Sequence, residues 1–348
     1  MKKSGLFLFS LVLTTLIFFS CSKSTDNTTY IGNWSLRNGS IGGRTGAVCF
    51  VIGDSAYIGL GYNQSVSPRY FTSFYRYTAY NNQMKQVKDF KGIGRTNAVA
   101  FSVNNKGYVG LGFNDTQDNY YLKDFYEYDP ATNSWRDVST FDTVGRRGAV
   151  AFAIGNNGYV GTGLDGQGRY LSDFWKFTPD AGQGKWDPIP GIPFSRANAT
   201  TFVLNGMGYV VTGDNNSSYS SSAGADRFYR YNPSSNAWEE LRRIANVSTE
   251  SYDDNYNIVR SYASGFASAT KGYVTCGSTN GGARSDTWEY DPSNDIWTQK
   301  TSFEGSARSQ AVGFIVSSKL MVGTGSSGSS YYDDIWEFKP DTTYDPLN

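Results

Sequence analysis

The sequence predicts an all-β, six-bladed β-propeller, on three observations. One four-stranded unit recurs six times, glycine and aromatics dominate the composition, and the last unit lacks a strand that the N-terminus can supply. Each unit opens on an arginine, at Arg44, Arg95, Arg146, Arg196, Arg260 and Arg308, with spacings of 51, 51, 50, 64 and 48 residues. An apolar strand ending at a phenylalanine follows, then a second strand that closes on glycine, such as Gly107-Tyr108-Val109-Gly110-Leu111-Gly112. The third strand alternates aromatics (Phe125/Tyr128, Phe174/Phe177, Trp288/Tyr290) and is opened by an aspartate in five units. The fourth begins near a tryptophan, at Trp135, Trp186, Trp238 and Trp297, with Met84 in that place in the first unit. The sixth unit stops after three strands at Phe338, while an unmatched Asn33-Trp34 precedes the first arginine. The N-terminal strand is therefore expected to complete the last blade and remove an open edge.

Length and charge narrow the function. At 348 residues the chain exceeds one ordinary core, which a repeat architecture explains. Lysine plus arginine (31) balances aspartate plus glutamate (31), so no field draws the chain to nucleic acid. Histidine is absent, which excludes Ser-His-Asp catalysis and imidazole-ligated metals. Any proton transfer falls to carboxylates, tyrosine or lysine. Cys49 and Cys276 lie in apolar strand patterns and read as buried free thiols, with no cofactor or metal expected.

The repeat resembles the kelch family over residues 33–340: a leading arginine, glycine-rich second strand, tyrosine-type third strand and spaced tryptophan. The resemblance implies the propeller fold and says little about activity. The first 20 residues, with Lys2 and Lys3 before the apolar run Leu6 to Phe19, read as an export leader. Ser20-Cys21 resembles the cleavage site of a bacterial lipoprotein, which implies lipidation at Cys21 and a polar tether over 21–32. The expected organisation is thus leader 1–20, tether 21–32 and a single monomeric propeller 33–348. It would be exported and held by its anchor alone at the bacterial envelope, with the outer membrane as the expected site.

Strand alternation assigns the loops. Connections from second to third strands and from blade to blade share one face, A, and vary in length. They include the insertion Glu239 to Val259, which accounts for the 64-residue spacing. Face A is the expected binding surface. Its candidates are the six leading arginines, read as a cationic collar for acidic ligands or as blade fasteners, and the loop tyrosines Tyr120, Tyr121, Tyr170, Tyr219, Tyr331 and Tyr332. The recurring aspartates read as caps for backbone amides. Glu250, Asp253 and Asp254, with Asp214 or Asp226, lack the spacing of a calcium loop.

The expected function is non-catalytic recognition of a glycan or envelope protein. The alternative resembles kelch-type sialic acid mutarotases, with Arg95, Arg196 or Arg260 holding a carboxylate and Glu250 or Glu304 moving protons. A copper oxidase of the galactose oxidase type is excluded, because that family's copper site requires histidine.

Overall fold

A computed structural model describes residues 30–216, 224–280 and 282–345. Six antiparallel four-stranded sheets are each ordered from the inside outwards along the chain. Blade 1 runs Val48–Ile52, Ser55–Gly59, Phe74–Thr78, Gln83–Gln86, and blade 2 runs Val99–Val103, Lys106–Gly110, Phe125–Asp129, Ser134–Val138. Blades 3, 4 and 5 begin with the inner strands Val150–Ile154, Thr200–Leu204 and Ser264–Ala267. Blade 6 takes Val312–Val316, Lys319–Gly323 and Ile335–Lys339, and its outer strand is the N-terminal Asn33–Arg37, paired Trp34 to Phe338. The closure expected from the strand count is present.

Period-two patterning explains the inner strands. Phe50, Phe101, Phe152, Phe202, Phe266 and Phe314 are buried between blades, 3–5% exposed. In five blades the phenylalanine stacks on the facing tyrosine of the second strand, as Phe101 does on Tyr108 with ring centroids 5.2 Å apart. Small residues turn toward the axis: Cys49, Ala100, Ala151, Thr201, Gly265 and Gly313 line a channel of about 300 Å³. Six strands converge there, so bulk is excluded. Burial pushes both thiols up, Cys276 to about 12, and leaves them un-ionised at neutral pH, as their apolar setting implied.

The glycine near the start of the second strand in blades 2 to 5 has a packing reason. A Cβ on Gly107, Gly158, Gly208 or Gly272 would enter the ring of the preceding blade's phenylalanine. Gly158→Val should therefore destabilise by about 1–3 kcal/mol through overpacking against Phe101. The urea midpoint measures this; an unchanged midpoint would show that the blades can part at no cost.

The tryptophans latch neighbours. The indole N–H groups of Trp135, Trp186 and Trp238 donate to the linker carbonyls of Lys88, Ser139 and Pro190 at 3.0, 3.0 and 2.7 Å. Trp34 donates in the same way to Thr301 at 3.2 Å. It does for blade 6 what those three tryptophans do for blades 2, 3 and 4.

Candidate functional site at the face A mouth

Each second strand ends in two successive left-handed residues. The first (Leu60, Leu111, Thr162, Thr212, Cys276 or Thr324) has φ from +58° to +64°, and a glycine follows at +92° to +103°. This turn strips the first residue's carbonyl of a ladder partner, and in every blade the leading arginine supplies one. Arg44 donates to Leu60 O, Arg95 to Leu111 O, Arg146 to Thr162 O, Arg196 to Thr212 O, Arg260 to Cys276 O and Arg308 to Thr324 O, at 2.8–3.1 Å. The glycine N–H then donates to the next blade's arginine carbonyl, as Gly112 does to Arg146 at 2.8 Å.

This corrects the reading of the arginines as an accessible collar. None is more than 2% exposed, and most of their donors are already engaged. It also corrects the aspartates as amide caps. Asp124, Asp173, Asp286 and Asp334 bind Arg95, Arg146, Arg260 and Arg308 with both carboxylate oxygens. An aromatic two residues on donates to the same carboxylate, as Trp288 does to Asp286 at 2.6 Å. Asp226 pairs instead with Arg243 at 2.9 Å, and blade 1 has Ser73 in the aspartate's place.

Burial alone would raise Asp286, but Arg260, Arg284 and Trp288 override it and hold the carboxyl well below the usual range. Asp124 and Asp334 are lowered in the same way, by Arg95 and Arg308 against burial. A carboxyl depressed on folding stabilises the fold above its unfolded pKa, near 4, and loses that contribution as pH falls below it. Acid unfolding should therefore set in below about pH 4, and Asp286→Asn should flatten it. An acid transition unaltered in that variant would contradict the assignment.

Above the arginines, two residues further along the chain, a second set of left-handed residues closes into a ring. Gly46, Asn97, Gly148, Asn198, Tyr262 and Gln310 have φ of +51° to +60°. Each donates its N–H to the previous blade's carbonyl, from Asn97 to Gly46 at 3.0 Å round to Gly46 on Gln310 at 3.1 Å. Such a conformation is costly for tyrosine and glutamine, and strain of that kind gathers at functional sites. The glycines leave room for side chains. A Cβ on Gly46 would meet the amide oxygens of Asn97 and Gln310, and one on Gly148 would meet that of Asn198. Side-chain amides thus carpet the channel mouth.

The position between the arginine and this ring holds Thr45, Thr96, Arg147, Ala197, Ser261 and Ser309. Arg147 stands out. Its guanidinium carbon lies 4.9 Å from the Phe113 ring and 5.8 Å from Tyr121, and it forms no ion pair among the described residues. Sequence reading stopped at Arg146; the available signal was the one cation at a position otherwise small or neutral. On the next blade Asp214, 4% exposed, accepts from Asn198 Nδ2 at 2.9 Å, which places its carboxylate at the level of the ring.

The loop tyrosines divide. Tyr120 is 49% exposed at the rim. Tyr121 is half-buried against Phe113, centroids 5.3 Å apart, and Tyr331 lies 6.4 Å from Tyr62. Tyr332 is packed on Arg308 at 4.1 Å, and Tyr170 is half-buried in a bridge to Leu164. Tyr219, like the leader and Cys21, lies outside the described residues. Aromatics therefore flank the mouth on blades 1, 2 and 6, while Ser261, Ser278, Ser309 and Ser326 flank blades 5 and 6.

Of the carboxylates that lack calcium-loop spacing, Asp214, Asp226 and Asp253 have their own partners, and the reading of Glu250 and Glu304 as proton carriers is corrected. Asp253 is buried and satisfied by Val247 N, Ser248 N and Ser248 Oγ, so it does not join Asp214 or Asp226 in a cation site. Glu304 accepts from Trp34 N at the closing seam and Glu250 is exposed in the insertion, so neither stands beside a leading arginine as a proton carrier.

Comparison with known proteins adds to this geometry. The family model for the KLHDC2/KLHL20/DRC7 kelch-repeats domain matches residues 46–253, more than half of the chain. The chain belongs to the kelch-repeat family. Among curated proteins, this kelch propeller is similar to the N-acetylneuraminate epimerase of Haemophilus influenzae (strain 86-028NP). They are 28% identical over 211 residues, covering 59% of this chain and 47% of that protein. The N-acetylneuraminate epimerase of Pasteurella multocida (strain Pm70) is 39% identical over 93 residues, 26% of this chain and 23% of that protein. The matched segments thus span less than half the length of these relatives. A solved structure titled "Structure of YjhT" superposes with a TM-score of 0.69 over 86% of this chain and 95% of its own, at 16% identity, a likeness of fold.

Proposed function

We propose that the chain is an exported sugar mutarotase or epimerase that takes an acidic sugar of the N-acetylneuraminate type at the face A mouth. The observation that carries this reading is the Arg147 guanidinium, without an ion pair among the described residues, clasped by Phe113 and Tyr121 next to a ring of side-chain amides. A guanidinium fork takes a carboxylate, aromatic rings suit sugar faces, and amides suit hydroxyls. The names of the curated relatives favour catalysis over a purely non-catalytic recognition surface.

Ring opening is undemanding chemistry. A proton leaves the anomeric hydroxyl, another reaches the ring oxygen, and the bond between anomeric carbon and ring oxygen breaks. Both oxygens sit on one carbon, so a single carboxyl can take the first proton and return it to the second. In this reading Asp214 is that group, and Asn97, Asn198 and Gln310 orient the sugar. General acid–base help of this kind contributes ~10²–10⁴-fold. Asp214→Asn should lower kcat by about that factor with KM little changed, read by saturation-transfer NMR between anomers. An undiminished kcat would remove Asp214 from the chemistry.

The lipid anchor belongs to the same proposal. Acylation at Cys21 would hold the propeller at the envelope just ahead of its closing strand. Cys21→Ser should shift the protein from the membrane to the soluble fraction; continued membrane retention would refute the anchor.

A further inference from the structure

A groove leads away from the mouth between blades 2 and 3. One wall is the turn Asp165 to Arg169. Asp165, 1% exposed, accepts the backbone N–H groups of Gln167 and Arg169 at 2.9 Å each, and Arg169 Nε at 2.7 Å. Its carboxylate fixes the turn from beneath, so the wall is preformed. The facing loop of blade 2 brings Asn119, Tyr121 and Lys123, and the linker residues Thr143, Val144 and Gly145 complete a cavity of about 340 Å³. Two glycines permit this approach. A Cβ on Gly145 would strike the Tyr121 carbonyl, and one on Gly166 would press on the Tyr121 ring at 3.2 Å.

Tyr121 is the shared wall. Its ring lies beside the Arg147 guanidinium and also lines the groove, so a ligand held by Arg147 has open space immediately to one side. The lining of that space is donor-rich. Lys123 is exposed and makes no ion pair among the described residues, Arg169 is 57% exposed, and Asn119 and Gln167 present amides.

We infer that the groove is an extension subsite for a second acidic sugar. The ligand is then a reducing disaccharide with a carboxylate on each ring: the reducing ring over the amide carpet with its carboxylate on Arg147, the other ring in the groove with its carboxylate near Lys123 and Arg169. This rests on the proposed function, since the reducing ring occupies the site assigned there.

Calorimetric titration with N-acetylneuraminate and its 2,8-linked dimer separates the two readings. The wild-type propeller should bind the dimer at least ~10-fold more tightly than the monomer, the worth of one charge-assisted contact. The double variant Lys123→Ala/Gln167→Ala, confined to exposed side chains, should lose that advantage and keep monomer affinity. Arg147→Ala should weaken both sugars. A dimer that binds no better than the monomer, or groove changes that weaken both equally, overturns the subsite and leaves the mouth assignment standing. Monomer binding that ignores Arg147→Ala overturns the mouth assignment, and no binding of either sugar overturns both.

Discussion

Arg147→Ala should raise KM for an acidic sugar roughly 30- to 100-fold, the equivalent of about 2–3 kcal/mol for a lost charge-assisted contact. The expected kcat changes less than KM, because the carboxylate, although carried on the anomeric carbon, stays ionised throughout ring opening and is held much alike in ground and transition states. Arg147→Lys should recover only part of the loss, since an ammonium keeps the charge but not the planar fork that stacks between Phe113 and Tyr121. The fold should tolerate both changes. The Arg147–Leu164 pairing is made by backbone, and the side chain sits at the rim rather than under it. Thermal melting of the variants checks this, and substrate dependence of anomer exchange gives KM and kcat. A fall in kcat at constant KM would instead place Arg147 in the proton chemistry.

Trp34→Ala should be the most destabilising of the single substitutions considered. Trp34 is fully buried, stacks on Phe338 at 4.5 Å, meets Phe303 edge-on at 4.9 Å and donates to Thr301 O. Removing a buried indole costs about 3–5 kcal/mol, and here the loss falls on the strand that joins the two ends of the chain. For a domain of this size that lowers Tm by roughly 5–15 °C. Trp238→Ala is the control. It occupies the same repeat position but is only half-buried on an internal blade, so its loss should be smaller. Equal losses would mean that the seam carries no special weight.

The architecture was legible because a propeller writes its rules six times. The recurrent arginine, glycine pair, aromatics and tryptophan gave blade number, strand order and the closing role of Trp34. The arginines' task was harder to read, because the carbonyl each one satisfies is exposed only by two left-handed residues sixteen positions on. Yet arginine and aspartate recur together, and a carboxylate within reach of four of the six guanidinium groups argues for buried pairs. In the site, repetition concealed what mattered. Arg147 and Asp214 are departures from the repeat, one charged residue each where other blades carry neutral ones. The tyrosines of the face A loops were identified by type, but among the described residues Tyr121 packs on Arg147 and Tyr120 on Phe113 beside it, while packing on Arg308 withdraws Tyr332.

Catalysis at the face A mouth is read from the rate of anomer exchange. Saturation-transfer NMR on N-acetylneuraminate should show exchange well above the uncatalysed rate with the purified propeller, with the excess lost at sub-saturating sugar in Arg147→Ala. Exchange at the uncatalysed rate with the wild-type protein would mean that the mouth does not catalyse ring opening of this sugar.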